Sequence, residues 1–303
     1  MTIGSMEARA EARNAMNTQE AVISREQFRQ IYLTSVEDVM RFWTPEMQVE
    51  ISRHNVGWRK ECTDFRGYLR YSELRYWVAF DMVSRNRVID TWCDIGGFFG
   101  AYPLTLRRLG VAVAMTEALK YYSDSFSPLF AYLRQEGVEI IDNDPFENVS
   151  LDGRHFDVVS AMAVLEHYPH SQKNFMEFMR SIVAPKGCLY IEVPNISFWP
   201  RRWALLKGRS PLPPVGDIYQ SEVPFTGHHH EYTMQELHQL AALAELHVVE
   251  EESFNYSFVG PWIKRLISDP FLTLMSCHPS MRECLAVVLS HGPDDMKRDE
   301  EHA

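Results

Sequence analysis

From about residue 86 the chain alternates strand-length apolar runs with helical patterns. "VIDTWCDI", "VAVAMTE", "VEIID", "FDVVSAMAVLEH" and "CLYIEVPN" read as five strands. "YPLTLRRLG", "YYSDSFSPLFAYLRQEG" and "SQKNFMEFMRSIVAPKG" read as helices, the last closed by Gly187. Strands joined through helices cannot be hairpins, so they must lie parallel with crossovers. "TMQELHQLAALAEL" is predicted as a further helix, capped by Thr233 with Glu236 three residues on. "HVVEEESF" and "CLAVVLSHG" complete the pattern. The expected fold class is α/β: a mostly parallel seven-stranded sheet with helices on both faces.

Residues 1–85 carry helical periodicity and no strand signal, as in "SREQFRQIYLTSVEDVMRFW" and the aromatic-rich "YLRYSELRYWVAFDMV". Thr44-Pro45 is expected to cap and open a helix between them. The predicted organisation is an N-terminal helical cap (1–85), an α/β domain (86–291) with an irregular insert at 196–231, and a charged, disordered tail (292–303). The formal net charge of -11 disfavours nucleic acid as a partner. There is no apolar run long enough for a membrane span, and the first residues lack an apolar signal core. Five scattered cysteines with no C-x-x-C pair support neither a disulfide framework nor zinc, and fit a reducing cytoplasm. A homodimer is left open.

The turn after the first strand reads Cys-Asp-Ile-Gly-Gly-Phe-Phe-Gly, residues 93–100. Its glycines suit a close backbone approach, but the spacing lacks the G-x-G-x-x-G of dinucleotide sites. Asp94, two residues before the first glycine, would repel phosphates and suits a cationic amine or free hydroxyls. Glu117 closes the second strand, where an acid can bind ribose hydroxyls, and Asp144 follows the third. Three acids after three consecutive strands converge on one sheet edge and favour a neutral or cationic nucleoside without phosphates.

These residues resemble the class I S-adenosylmethionine-dependent methyltransferases, a Rossmann-like family, over about residues 86–291. "CDIGGFFG" is similar to their first motif, "MTEAL" to the second, and "NDPF" with "FDVVSAMAVLEH" to the third and fourth. "APKGCLYIEVPN" resembles the run into strand five, and "GHHHEYTMQEL" the entry to the next helix in members that modify glycans and other small molecules. The resemblance implies S-adenosyl-L-methionine as cofactor. Asp94 would contact the methionine amine, Gly96, Gly97 and Gly100 would give backbone room, and Glu117 would hold the ribose. Asp144, with the backbone around Ala161 and Met162, would frame the adenine. Phe98 departs from the pattern: it replaces a small residue, where its bulk would crowd the methionine end or shift the loop.

The implied reaction is methyl transfer to a small-molecule or glycan acceptor, at oxygen. A hydroxyl acceptor calls for a base near neutral pH, and His167 in "LEHYPH" is the first candidate. The run His228 to Tyr232 supplies the second, with His229 and Tyr232 as its named members. No metal is expected, because adjacent histidines diverge and Glu166 beside His167 has the same problem. The insert, with Trp199, Trp203, Arg201, Arg202, Lys207 and Arg209 and stiffened by Pro211, Pro213 and Pro214, is read as a lid over the acceptor. Tyr68, Tyr71, Tyr76 and Trp77 are either pocket wall or core. The alternative function is a catalytically silent methyltransferase-like binding module, motivated by Phe98.

Overall fold

The computed structural model describes residues 23–54, 64–85, 87–144, 147, 150, 151, 153–221, 225, 227–257 and 262–292. The proposed charged tail and the first part of the N-terminal region fall outside them. Among the described residues four helices come first: α1 (Arg25–Met40), α2 (Pro45–His54), α3 (Phe65–Tyr71) and α4 (Glu73–Ser84). Ser24 and Gln27 close α1 with a capping box, and the Thr44 hydroxyl accepts from Met47 N–H at the start of α2. The predicted single helix over 68–83 is two helices. They part at Ser72, whose hydroxyl donates to the Tyr68 carbonyl and so competes with the helical ladder.

The α/β portion contains β1 (Thr91–Ile95), α5 (Ala101–Arg108), β2 (Ala112–Glu117), α6 (Ser127–Gln135), β3 (Val138–Asp142), β4 (Phe156–Met162), α7 (Gln172–Ser181) and β5 (Val183–Pro194). It continues through α8 (Trp199–Leu206), α9 (Val215–Gln220), α10 (Met234–Leu243), β6 (His247–Phe254), α11 (Trp262–Ser268), α12 (Pro270–Met275) and β7 (Cys284–Ser290). The strands form a seven-stranded sheet ordered β3-β2-β1-β4-β5-β7-β6, in which β7 runs antiparallel to both neighbours. The Thr233–Glu236 capping box forms as expected.

The helix expected to end at Gly187 stops at Ser181, and β5 begins at Val183. Phe156 pairs with Val183, and the register then shifts before Val158 meets Cys188. A side chain at Gly187 would lie 2.9 Å from three carbonyl oxygens, so the glycine permits this irregular strand start rather than ending a helix.

Two core clusters flank the sheet. One runs from Phe28, Tyr32 and Met82 to Trp92, Tyr102 and Leu104, so the N-terminal helices share their apolar interior with the sheet. The other joins Ile95, Val159, Phe175, Leu237 and Leu285. Burying these faces fixes the sheet edge at which β1 to β5 end, and β7 begins at that same edge, opposite Pro194.

Candidate active site

Strand ends place the three acids of the first half. Asp94, in β1, is 3 % exposed; Ser160 Oγ donates to its Oδ1 at 2.5 Å and itself accepts from Trp92 Nε1 at 2.8 Å. Burial pushes the Asp94 carboxyl up to about 7, against the Ser160 hydrogen bond and the charge of Arg75. Glu117, the last residue of β2, accepts from Phe98 N–H on Oε1 and from Tyr122 Oη at 2.8 Å on Oε2. Burial raises it to about 7 as well. Asp144, just past β3, lies 2.8 Å from Lys120 Nζ. Beside it, both side-chain amide atoms of Asn143 are buried without a partner. Sequence reasoning passed over Asn143; a polar residue preceding the acid in "DNDP" was its only trace.

The glycine turn is tight. Gly96 has φ +69°, and a Cβ there would meet Val164 Cγ2 at 3.0 Å, so the turn abuts the loop after β4. Gly100 has φ +74°, and its Cβ would meet Leu133 Cδ1 at 2.4 Å, which lets α5 start against α6. A Cβ on Gly97 would press on Met115 at 2.9 Å. Phe98 takes φ +54°, a region non-glycine residues rarely occupy. Its ring packs on Phe99 at 3.7 Å and near Phe65 at 6.4 Å, which ties the turn to α3. Ala161 is fully buried in β4 and Met162 half-buried at its end.

A cavity of about 1120 Å³ opens at the same sheet edge, next to β4, β5 and β7. Ala163, Glu166, His167, Glu192, Arg201 and His228 are among its walls. Arg75 and Glu192 form a buried ion pair at 2.5 Å; Arg75 Nη1 donates to Tyr68 Oη at 3.3 Å, and the guanidinium lies 5.3 Å from the Tyr256 ring. Tyr68 and Tyr71 face the cavity, whereas Tyr76 and Trp77 pack against the core. The insert supplies Phe198, Arg201, Pro211 to Pro214 and Asp217 to the wall. Asn195 pins its base by donating from Nδ2 to the Ser280 and Arg282 carbonyls at 3.1 and 2.8 Å.

His167 lines the cavity, with its ring 4.7 Å from that of His228. The His229 and Tyr232 side chains do not line it. His229 Nε2 is 2.9 Å from the Phe225 carbonyl, and Tyr232 packs in the second core cluster. His228 is the second histidine of the site, its Nδ1 2.6 Å from Glu231 Oε1. Burial, then His167 and Arg201, lower its pKa to about 3, so it is neutral. The expectation that Glu166 and His167 diverge is corrected. They sit in a 3-10 turn, Leu165–His167, where successive side chains turn by about 120° rather than 180°. Ligand atoms of Glu166, His167 and His228 all lie within 4.8 Å of one another.

A family model described as a methyltransferase domain matches residues 54–251. No curated protein sequence matches the chain. Among solved structures, it is similar to a chain of the complex between the Haloferax volcanii Trm112 methyltransferase activator and a methyltransferase. That pair is 16 % identical with a TM-score of 0.51, over 74 % of this chain and 94 % of that one. It is also similar to a Mesorhizobium loti S-adenosylmethionine-dependent methyltransferase, at 12 % identity and a TM-score of 0.49, over 72 % and 97 % of the two chains. The Haloferax likeness shows a shared fold. Sheet order and domain match together establish that the chain belongs to the methyltransferase-domain family, the class I S-adenosylmethionine-dependent methyltransferases.

Proposed function

We propose that this protein methylates an oxygen of a small-molecule or glycan acceptor seated in the 1120 Å³ cavity, using S-adenosylmethionine bound along the ends of β1 to β4. The observation that carries the reading is adjacency. Gly96 of the glycine turn abuts Val164, with no room between them for a side chain, and the loop holding Val164 also holds the cavity residues Ala163, Glu166 and His167.

The residues present fit the cofactor. Each Glu117 oxygen accepts one internal hydrogen bond and keeps a lone pair for a ribose hydroxyl. Asp94 would face the methionine amine. Asp144, the unpartnered Asn143 amide and the backbone around Ala161 and Met162 would frame the adenine. Gly96, Gly97 and Gly100 keep the turn close to the sheet. When bound, the sulfonium supplies an electrophilic methyl carbon. The chain's own part is to orient the acceptor, exclude water and take up its proton; His167 is the proposed base. The insert at 196–231 acts as lid, and the helices of the 1–85 region close the far wall. Among the described residues no helix is long and apolar enough to cross a membrane.

Calorimetric titration with S-adenosylhomocysteine tests the cofactor half, with saturable one-to-one binding expected. Radiolabelled methyl transfer across hydroxylated, amine and sugar acceptors tests the other half. The second reading, a silent binding module, is favoured by Phe98 N–H and Tyr122 Oη, which already engage both oxygens of Glu117. Absent cofactor binding together with a stable protein partner would establish it.

A further inference from the structure

Glu166 is fully buried, and neither of its carboxylate oxygens has a hydrogen-bond partner. A carboxylate in that position is costly unless a cation or a proton balances it. Among the described residues the cavity's two guanidinium groups are already committed: Arg201 pairs with Glu231, and Arg75 pairs with Glu192. The ligand atoms that do converge with Glu166 are those of His167 and His228. With Nδ1 of His228 held by Glu231, Nε2 is the nitrogen left to act as a ligand. A carboxylate behind an imidazole is the usual support of a metal-binding histidine. The His229 N–H donates to the Glu166 carbonyl at 2.7 Å, which fixes the two segments against each other.

We propose that Glu166, His167 and His228 form a site for one first-row divalent cation, open to the cavity. Two imidazoles and one carboxylate favour manganese, iron, cobalt or zinc over calcium and magnesium, which prefer all-oxygen sets. Three protein ligands leave coordination positions vacant, as in catalytic rather than structural sites. Because all three side chains line the cavity, those positions face the space assigned to the acceptor. The cation would accept a hydroxyl or carboxylate oxygen there and lower the pKa of a bound hydroxyl. His167 would then serve as a ligand rather than a base. Only this role rests on the methyltransferase reading; the site itself does not.

Chelator-treated full-length protein titrated with Mn²⁺ or Co²⁺ is expected to bind one ion per chain. With Co²⁺, a visible spectrum should develop that disappears in His228→Ala. His228→Ala and Glu166→Gln should each weaken binding by more than the roughly 10- to 100-fold that loss of an outer-shell partner costs, and Glu231→Gln by about that amount. His238→Ala, at an exposed histidine paired with Glu251, should change nothing. Thermal melts of the metal-free variants report folding. If Glu166→Gln does not fold, His167→Ala and His228→Ala decide through the cobalt spectrum. Absence of saturable binding to the wild type, or equal affinity in His228→Ala, overturns the site. S-adenosylhomocysteine titrated into the same chelated protein separates the two claims. Cofactor binding without metal binding removes only the metal site, and the reverse removes only the cofactor reading.

Discussion

The two halves of the proposed site are built in different ways. On the β1–β3 side, each acid is served from within the sheet and its adjoining loops: Asp94 by Ser160 of β4, Glu117 by Phe98 and Tyr122, Asp144 by Lys120. On the β4–β7 side, groups come from outside the sheet, from an N-terminal helix and from the insert. Arg75 pairs with Glu192 across 117 residues, and His228 comes to His167 from the end of the insert. The first half is a cradle for a ligand defined by the fold, its acids each partnered while the Asn143 amide beside them is not. The second is a polar cavity whose balance depends on distant partners, and Glu166 shows that the balance is incomplete. Changes should therefore act locally on the first side and globally on the second.

The largest effect is expected at Arg75. Its removal strands Glu192, 0 % exposed, as a buried uncompensated charge, and breaking such a pair costs about 3–5 kcal/mol. Chemical denaturation of Arg75→Met should show that loss, and Arg75→Met with Glu192→Leu should recover most of it. Near-neutrality of the single variant would mean the cavity is wet enough to solvate the carboxylate, and the contrast between the halves would weaken. Next comes Glu117→Ala. Two hydrogen bonds from ribose hydroxyls to a charged group are worth about 1.5–3 kcal/mol each, so S-adenosylhomocysteine should bind at least about 100-fold more weakly by calorimetry. Manganese binding should be untouched. Loss of both would show that the two sides are one cooperative unit.

A smaller effect follows from pH. Burial holds the Asp94 and Glu117 carboxyls at about 7, so both are protonated in the free protein below that pH. An ammonium and two hydroxyls need the ionised forms, so binding must release these protons in acid. Between roughly pH 5.5 and 7 the association constant should rise by about a factor of ten per pH unit for each coupled group, then level off. Asp94→Asn should remove one of the two steps. A flat profile in the wild type would mean that neither carboxyl changes protonation on binding.

The same contrast explains what was legible in the sequence. The strands, the glycine turn, Asp94, Glu117 and the Thr233 cap lie beside the local signals that define them, and each was readable from a few residues. The cavity was not. Arg75 sits on a helix whose periodicity spoke only of core, and nothing near it named Glu192. The choice between His228 and His229 turns on loop geometry, where the alternation of a strand does not apply. The 3-10 turn that brings Glu166 and His167 together overrode an argument made for extended backbone. The start of β5 at Val183 was hidden for a related reason: a bulge at Phe156/Val158 breaks the regular pairing, so the "APKG" run read as a helix end.

The smallest effect is expected at Phe98, and it bears most directly on whether the cradle is ready for a ligand. A residue other than glycine in the left-handed region costs about 1–2 kcal/mol, which Phe98→Gly would relieve. The same change removes a half-buried ring from Phe99 and Phe65, and full burial of such a ring is worth about 1.5–3 kcal/mol. The two terms nearly cancel, so stability should shift by no more than about 1 kcal/mol. Cofactor affinity is the sharper readout. If the ring crowds the methionine end, Phe98→Gly should bind S-adenosylhomocysteine severalfold more tightly, with the Glu117 contact to residue 98 retained through the backbone N–H. Weaker binding would instead make the ring part of the cofactor's wall. The cradle would then extend through Phe98 to Phe65 on α3, and the N-terminal helices would belong to both halves of the site.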